Sequence, residues 1–154
     1  MNVIDYNLHL MAVVRRNILE TVNKLTTEQL NKIPENCNNN IIWQMGHIVV
    51  TQQALHYKLA GIDSLVTKEM TNLFKKDTRP TRLFSEQEIE EIKVLLQSTQ
   101  ESLKADLAAN KFDNYYPYTV GLGASISDIE EALTMNNVHE GLHLGCIMLL
   151  KKLI

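Results

Sequence analysis

The chain has 154 residues, 45% of them hydrophobic, and a formal net charge of −3 at neutral pH. That length supports one domain with a proper core, spanning residues 1–154. The charge balance points away from a nucleic-acid backbone or an anionic membrane as partner. Met1 opens a polar segment without the cationic start and apolar core of a signal peptide, and no apolar run approaches the roughly 18 residues of a membrane span. Two cysteines, Cys37 and Cys146, make no disulfide framework, so a soluble protein of the reducing cytoplasm is expected.

The first predicted helix covers about residues 5 to 24, with Leu8, Met11, Ala12, Ile18, Leu19 and Val22 in an apolar stripe. Arg15 falls inside that stripe, either snorkelling to water or reaching a buried carboxylate or ligand. Residues 33 to 40 are loop chemistry ending in asparagines suited to an N-cap, and a second helix follows over about 41 to 60, with Gly61 as its C-terminal glycine. Residues 61 to 84 form a long connection, in which 68 to 76 suggest a short helix and Lys75, Lys76, Arg79 and Arg82 suggest a solvated loop.

Ser85 and Glu88 form a capping box that opens a third helix over about 86 to 109, its stripe running through Ile89, Ile92, Leu96, Thr99, Leu103 and Leu107. After the aromatic loop Tyr115–Tyr118, Ser125 and Asp128 are expected to cap a fourth helix over about 126 to 152. The expected fold is all-α: a four-helix bundle with a long connection between helices 2 and 3 that permits a crossover.

The chemistry concentrates in His139-Glu140-Gly141-Leu142-His143. Histidines four apart lie about 40° apart around a helix, close enough to grip one divalent ion. Ala132, Met135 and Cys146 share their face, which should point inward. A buried imidazole needs a partner, and one metal would serve both rings; hydrogen-bonded core histidines are the alternative. On the second helix His47 shares a face with Trp43, Val50 and Ala54, whereas His56 lies opposite and is expected in solvent. His9 flanks its stripe as an outside candidate. His47 is therefore the third candidate ligand. Three neutral imidazoles with open positions describe a catalytic type of site, for which zinc and nickel are both suitable. Cys146 is either a ligand, a redox-active thiol or a small buried core residue. Glu140 has three readings: activating a metal-bound water as general base, orienting a ligand, or pairing with a lysine at the surface.

The pattern H-E-x-x-H also occurs in zinc peptidases, but eleven residues after His143 leave no room for a downstream ligand, and Cys146 and Leu149 replace the extended motif's glycine and histidine. No P-loop or dinucleotide turn occurs, only Gly121-Leu122-Gly123 in a loop.

The segments Asn40-Ile41-Ile42-Trp43-Gln44-Met45-Gly46-His47-Ile48 and His139-Glu140-Gly141-Leu142-His143-Leu144-Gly145 resemble the DinB family. The resemblance implies a four-helix bundle, usually a homodimer, holding a divalent metal at His47, His139 and His143. Characterised relatives include thiol-dependent S-transferases and a mycothiol-dependent isomerase, in which the metal holds a low-molecular-weight thiol as thiolate. Three functions follow: thiol transfer to a small electrophilic substrate, with Tyr57 and the 115–118 loop either lining a pocket or packing; hydrolysis with Glu140 as general base; and a non-catalytic dimeric stress-response role with a structural metal.

Overall fold

The structure is a computed structural model and describes residues 2–154. It is mostly helical, with one two-stranded hairpin. Six α-helices occur among the described residues: α1 (Val3–Val22), α2 (Thr27–Asn31), α3 (Ile41–His56), α4 (Lys68–Phe74), α5 (Glu86–Ala108) and α6 (Ile129–Leu153). None of them is long and apolar enough to cross a membrane.

Side-chain caps set the boundaries. Asn40 Oδ1 accepts from the Trp43 N–H at 2.8 Å to open α3, and the Ser85–Glu88 capping box opens α5 as anticipated. The second helix is shorter than expected. It ends at His56, a single 3₁₀ turn over Lys58–Ala60 follows, and Gly61 closes that turn at φ +71°. α6 begins at Ile129 rather than near 126, because Asp128, not Ser125, is its N-cap. Ser125 pairs instead with Thr119 in the antiparallel hairpin β1 (Tyr118–Thr119) and β2 (Ser125–Ile126). Helix α2 was not anticipated, although Thr26 and Gln29 form a capping box before it.

The four long helices pack in neighbouring pairs: α1 lies against α5 and α6, and α3 lies against the same two from the other side. α3 is also covered by α2 and α4. A helix enclosed on most sides is apolar most of the way round, which is why Ile41, Ile42, Met45, Ile48 and Val49 are all fully buried, although Ala54, expected on the inward face with His47, is exposed. The same enclosure overturns the expectation for His56: it is 0% exposed, because the side of α3 opposite His47 also faces protein.

The long connection folds back over α3 through α4. Gly46 makes this possible, since a Cβ there would lie 2.4 Å from the Phe74 ring. Lys75, Lys76, Arg79 and Arg82 are exposed, and Arg82 pairs with Glu88 at 2.6 Å.

Candidate metal centre

His47 on α3 and His139 and His143 on α6 converge, with one ligand-capable atom from each lying within 4.8 Å of the others. The packing of α3 on α6 creates this meeting, and the i,i+4 spacing puts both α6 rings on the side facing α3. Ring centroids are 5.1 Å apart for His47 and His139, 4.8 Å for His47 and His143, and 4.3 Å for His139 and His143.

Hydrogen bonds select which nitrogen faces the centre. His47 Nδ1–H donates to the Phe74 carbonyl at 2.7 Å. Phe74 ends α4, so this carbonyl has no partner within its own helix, and the negative end of the helix dipole lies beside the imidazole. His143 Nδ1–H donates to Gln44 Oε1 at 2.5 Å. Both rings therefore hold an unprotonated Nε2, which is the ligand form of imidazole. His143 Nε2 lies 3.0 Å from His139 Nε2, and Thr51 Oγ1 is 3.4 Å from His47 Nε2. His139 differs from the other two: its Nδ1 is buried without a partner. Trp43 stacks on His47 at 4.5 Å between centroids and 10° between planes, while its indole N–H donates to Thr78.

Burial holds all three imidazoles neutral. It pushes His139 down to about 3, with help from the nearby His143 and His47, and His143 down to about 4, with help from His47. His47 is also lowered by burial, against an opposing contribution from the Phe74 carbonyl. Neutral rings with nitrogens turned toward one point fit a divalent ion such as zinc or nickel, whose binding requires deprotonated ligands.

The other candidates fall elsewhere. His9 is exposed and outside the cluster. Cys146, expected on the inward face, is exposed, because α6 packs mainly on α1 and α3, and more lightly on β2, and leaves its outer flank open. Tyr57 and Tyr115 are packing residues, their hydroxyls donating to Asp106 and to the Leu55 carbonyl, each at 2.7 Å.

Glu140 is 0% exposed, which overturns a surface pairing with lysine. Its carboxylate instead accepts from Arg15, with Nη2 to Oε1 at 2.7 Å and Nε to Oε2 at 3.0 Å, and from Asn136 Nδ2 at 2.7 Å. Arg15 Nη1 donates onward to the Leu96 carbonyl and to Thr99, so this polar knot ties α1, α5 and α6 together beside His139. Gln44 and the Phe74 carbonyl are the site groups that sequence reading missed. The position of Gln44, one residue past Trp43 within the largely apolar run 41–50, was the signal it offered.

A family model described as the DinB superfamily matches residues 10–147. No curated protein matches the chain. The chain belongs to the DinB superfamily.

Proposed function

We propose that this member of the DinB superfamily is a metal-dependent transferase whose long helices act as a four-helix bundle and whose divalent ion, zinc or nickel, is held by His47, His139 and His143. The observation that carries this reading is the convergence of three neutral imidazoles, two of them with Nδ1 engaged so that Nε2 is free for the ion. His47, His139 and His143 would hold the ion, which would supply Lewis acidity that lowers the pKa of a low-molecular-weight thiol.

A thiol so activated would bond through sulfur to an electrophilic carbon of the small-molecule substrate, with the leaving group departing with its bonding pair and the thiol proton passing to solvent. The chain's own residues provide the frame for this step. Phe74 and Gln44 fix the tautomers of His47 and His143, and Trp43 holds the His47 ring in plane. Glu140 serves as a positioning group for α6 in this scheme, since its oxygens are engaged by Arg15 and Asn136 rather than turned toward a reacting molecule. This arrangement favours thiol transfer over hydrolysis with Glu140 as general base. The free Cys37 and Cys146 support a reducing, cytoplasmic setting.

Elemental analysis of tag-free protein beside His47→Ala tests the centre. One ion per chain, lost in the variant, is the expected result, and no ion after reconstitution with zinc or nickel would overturn it. With the centre established, thiol consumption against halogenated or epoxide compounds tests the reaction. Activity that survives alanine at all three histidines would exclude the mechanism.

A further inference from the structure

Helix α4 packs on α3 but makes no comparable contact with α5, and a cleft of about 300 Å³ opens between α4 and α5. The helical repeat builds its walls: Met70 and Leu73 lie three apart on α4, as do Ile92 and Leu95 on α5. The Phe74 and Phe84 rings, stacked at 5.5 Å between centroids, form its floor, and both are buried. The cleft therefore reaches the apolar core rather than lying on the surface. Its capacity is at the lower end of the range for small-molecule sites.

The rim has a definite sign. Among the described residues lining the cleft, Arg82 is the one cation, against Glu69, Glu88 and Glu91. Arg82 is already committed: Nη1 and Nη2 donate to the two Glu88 oxygens at 3.1 and 2.6 Å, and its guanidinium lies 4.5 Å from the centre of the Phe84 ring. Glu69 takes part in none of the ion pairs. Glu91 accepts only from the neutral Gln87 side chain, at 3.2 Å. Two exposed carboxylates without a counter-charge thus stand over an apolar interior.

We propose that the cleft between α4 and α5 is a binding site for a small apolar cation of the alkylammonium type. Its hydrocarbon chain lies along Met70, Leu73, Ile92 and Leu95, and its charge is met by Glu69 and Glu91. An anion of the same shape would meet two like charges, and a neutral molecule would gain nothing from them. Phe74 links the cleft to the histidines, since its ring faces the cleft while its carbonyl holds His47 Nδ1. The site does not depend on the metal reading, because none of its residues is one of the three histidines.

Amide chemical-shift mapping by NMR tests the site, with hexylamine as probe and 1-hexanol and hexanoate at matched ionic strength as controls. Chelator-treated full-length protein keeps the amine off any ion at the histidines. Hexylamine is expected to give saturable shifts at Met70, Leu73, Ile92 and Leu95 and to raise the melting temperature. Butylamine should bind about tenfold more weakly, since each buried methylene is worth about fourfold in affinity. Glu69→Gln with Glu91→Gln, both at exposed positions, should weaken hexylamine by about fivefold to tenfold and leave 1-hexanol unchanged. Leu95→Trp, which fills the cleft, should abolish binding of both. Hexylamine shifts that do not saturate, or that fall outside α4 and α5, would overturn the proposal. So would hexanoate or 1-hexanol binding as tightly as hexylamine, or hexylamine affinity that the double glutamine variant leaves unaltered.

Discussion

Replacing Gly46 by alanine isolates the contact that brings α4 over the three-histidine cluster. Alanine is the better helix former by roughly 0.8–1.0 kcal/mol, so a free helix would gain from the change. Here the added Cβ would sit 2.4–2.7 Å from three carbons of the Phe74 ring, a side chain only 1% exposed and enclosed by core. Such overpacking costs about 1–3 kcal/mol, which outweighs the propensity gain. The net loss reaches up to about 2 kcal/mol, which in a chain of this size lowers the melting temperature by up to roughly 4–8 °C.

The same displacement pulls the Phe74 carbonyl from His47 Nδ1. Loss of a group that orients a ligand histidine lowers metal affinity by about 10–100-fold. Both quantities are measurable: thermal melting of the metal-free protein, and zinc affinity by competition with a chromogenic chelator. Phe74→Leu in the Gly46→Ala background removes the ring edge while keeping the carbonyl, and is expected to recover most of the affinity. A Gly46→Ala protein that melts at or above the wild type and binds zinc equally well would refute the argument.

Other outcomes follow from the same contacts. Gln44→Ala should lower zinc affinity about 10–100-fold by releasing His143 Nδ1, with little change in helicity; unchanged affinity would remove Gln44 from the site. Glu140→Gln leaves the Arg15 guanidinium buried without its counter-charge and should cost about 3–5 kcal/mol in urea unfolding, much of it recovered in Arg15→Met with Glu140→Leu. A stability loss below about 1 kcal/mol with turnover abolished would instead favour Glu140 as general base. His56 is lowered from 6.5 to about 4 by burial, against the Gln52 carbonyl and with help from Arg15. Its native state binds fewer protons than the unfolded chain, so stability falls as pH drops from about 6.5 toward 4, by about 3 kcal/mol in full. Metal-free His56→Gln should lose that share of the pH dependence, and an unaltered profile would show that His56 does not carry it.

Much of this protein was legible without coordinates because helical periodicity is local. The stripe through Met11, Ile18 and Val22 and the one through Ile89, Ile92, Leu96 and Leu103 are the buried faces of α1 and α5. Asn40 and Ser85 mark their helix starts through bonds that span three residues. The i,i+4 spacing of His139 and His143 made them neighbours whatever else the chain did, and the apolar face around His47 pointed to its partner. Periodicity states which side of a helix is apolar, but not how many sides a helix buries. His56 was therefore misplaced: α3 is enclosed on most sides, and the side opposite His47 is interior. Cys146 failed in the opposite sense, since the neighbours of α6 cover only part of its circumference. The groups that orient the clustered histidines depend on how separate helices are rotated and shifted against one another. Phe74 offers a backbone carbonyl that carries no residue-type signal, and it reaches His47 only because Gly46 lets α4 approach. Arg15 and Glu140 meet across most of the chain length, where no local pattern links a guanidinium to its carboxylate. Short-range chemistry thus specified the helices and the histidine pair, and the packing of one helix on another decided their partners.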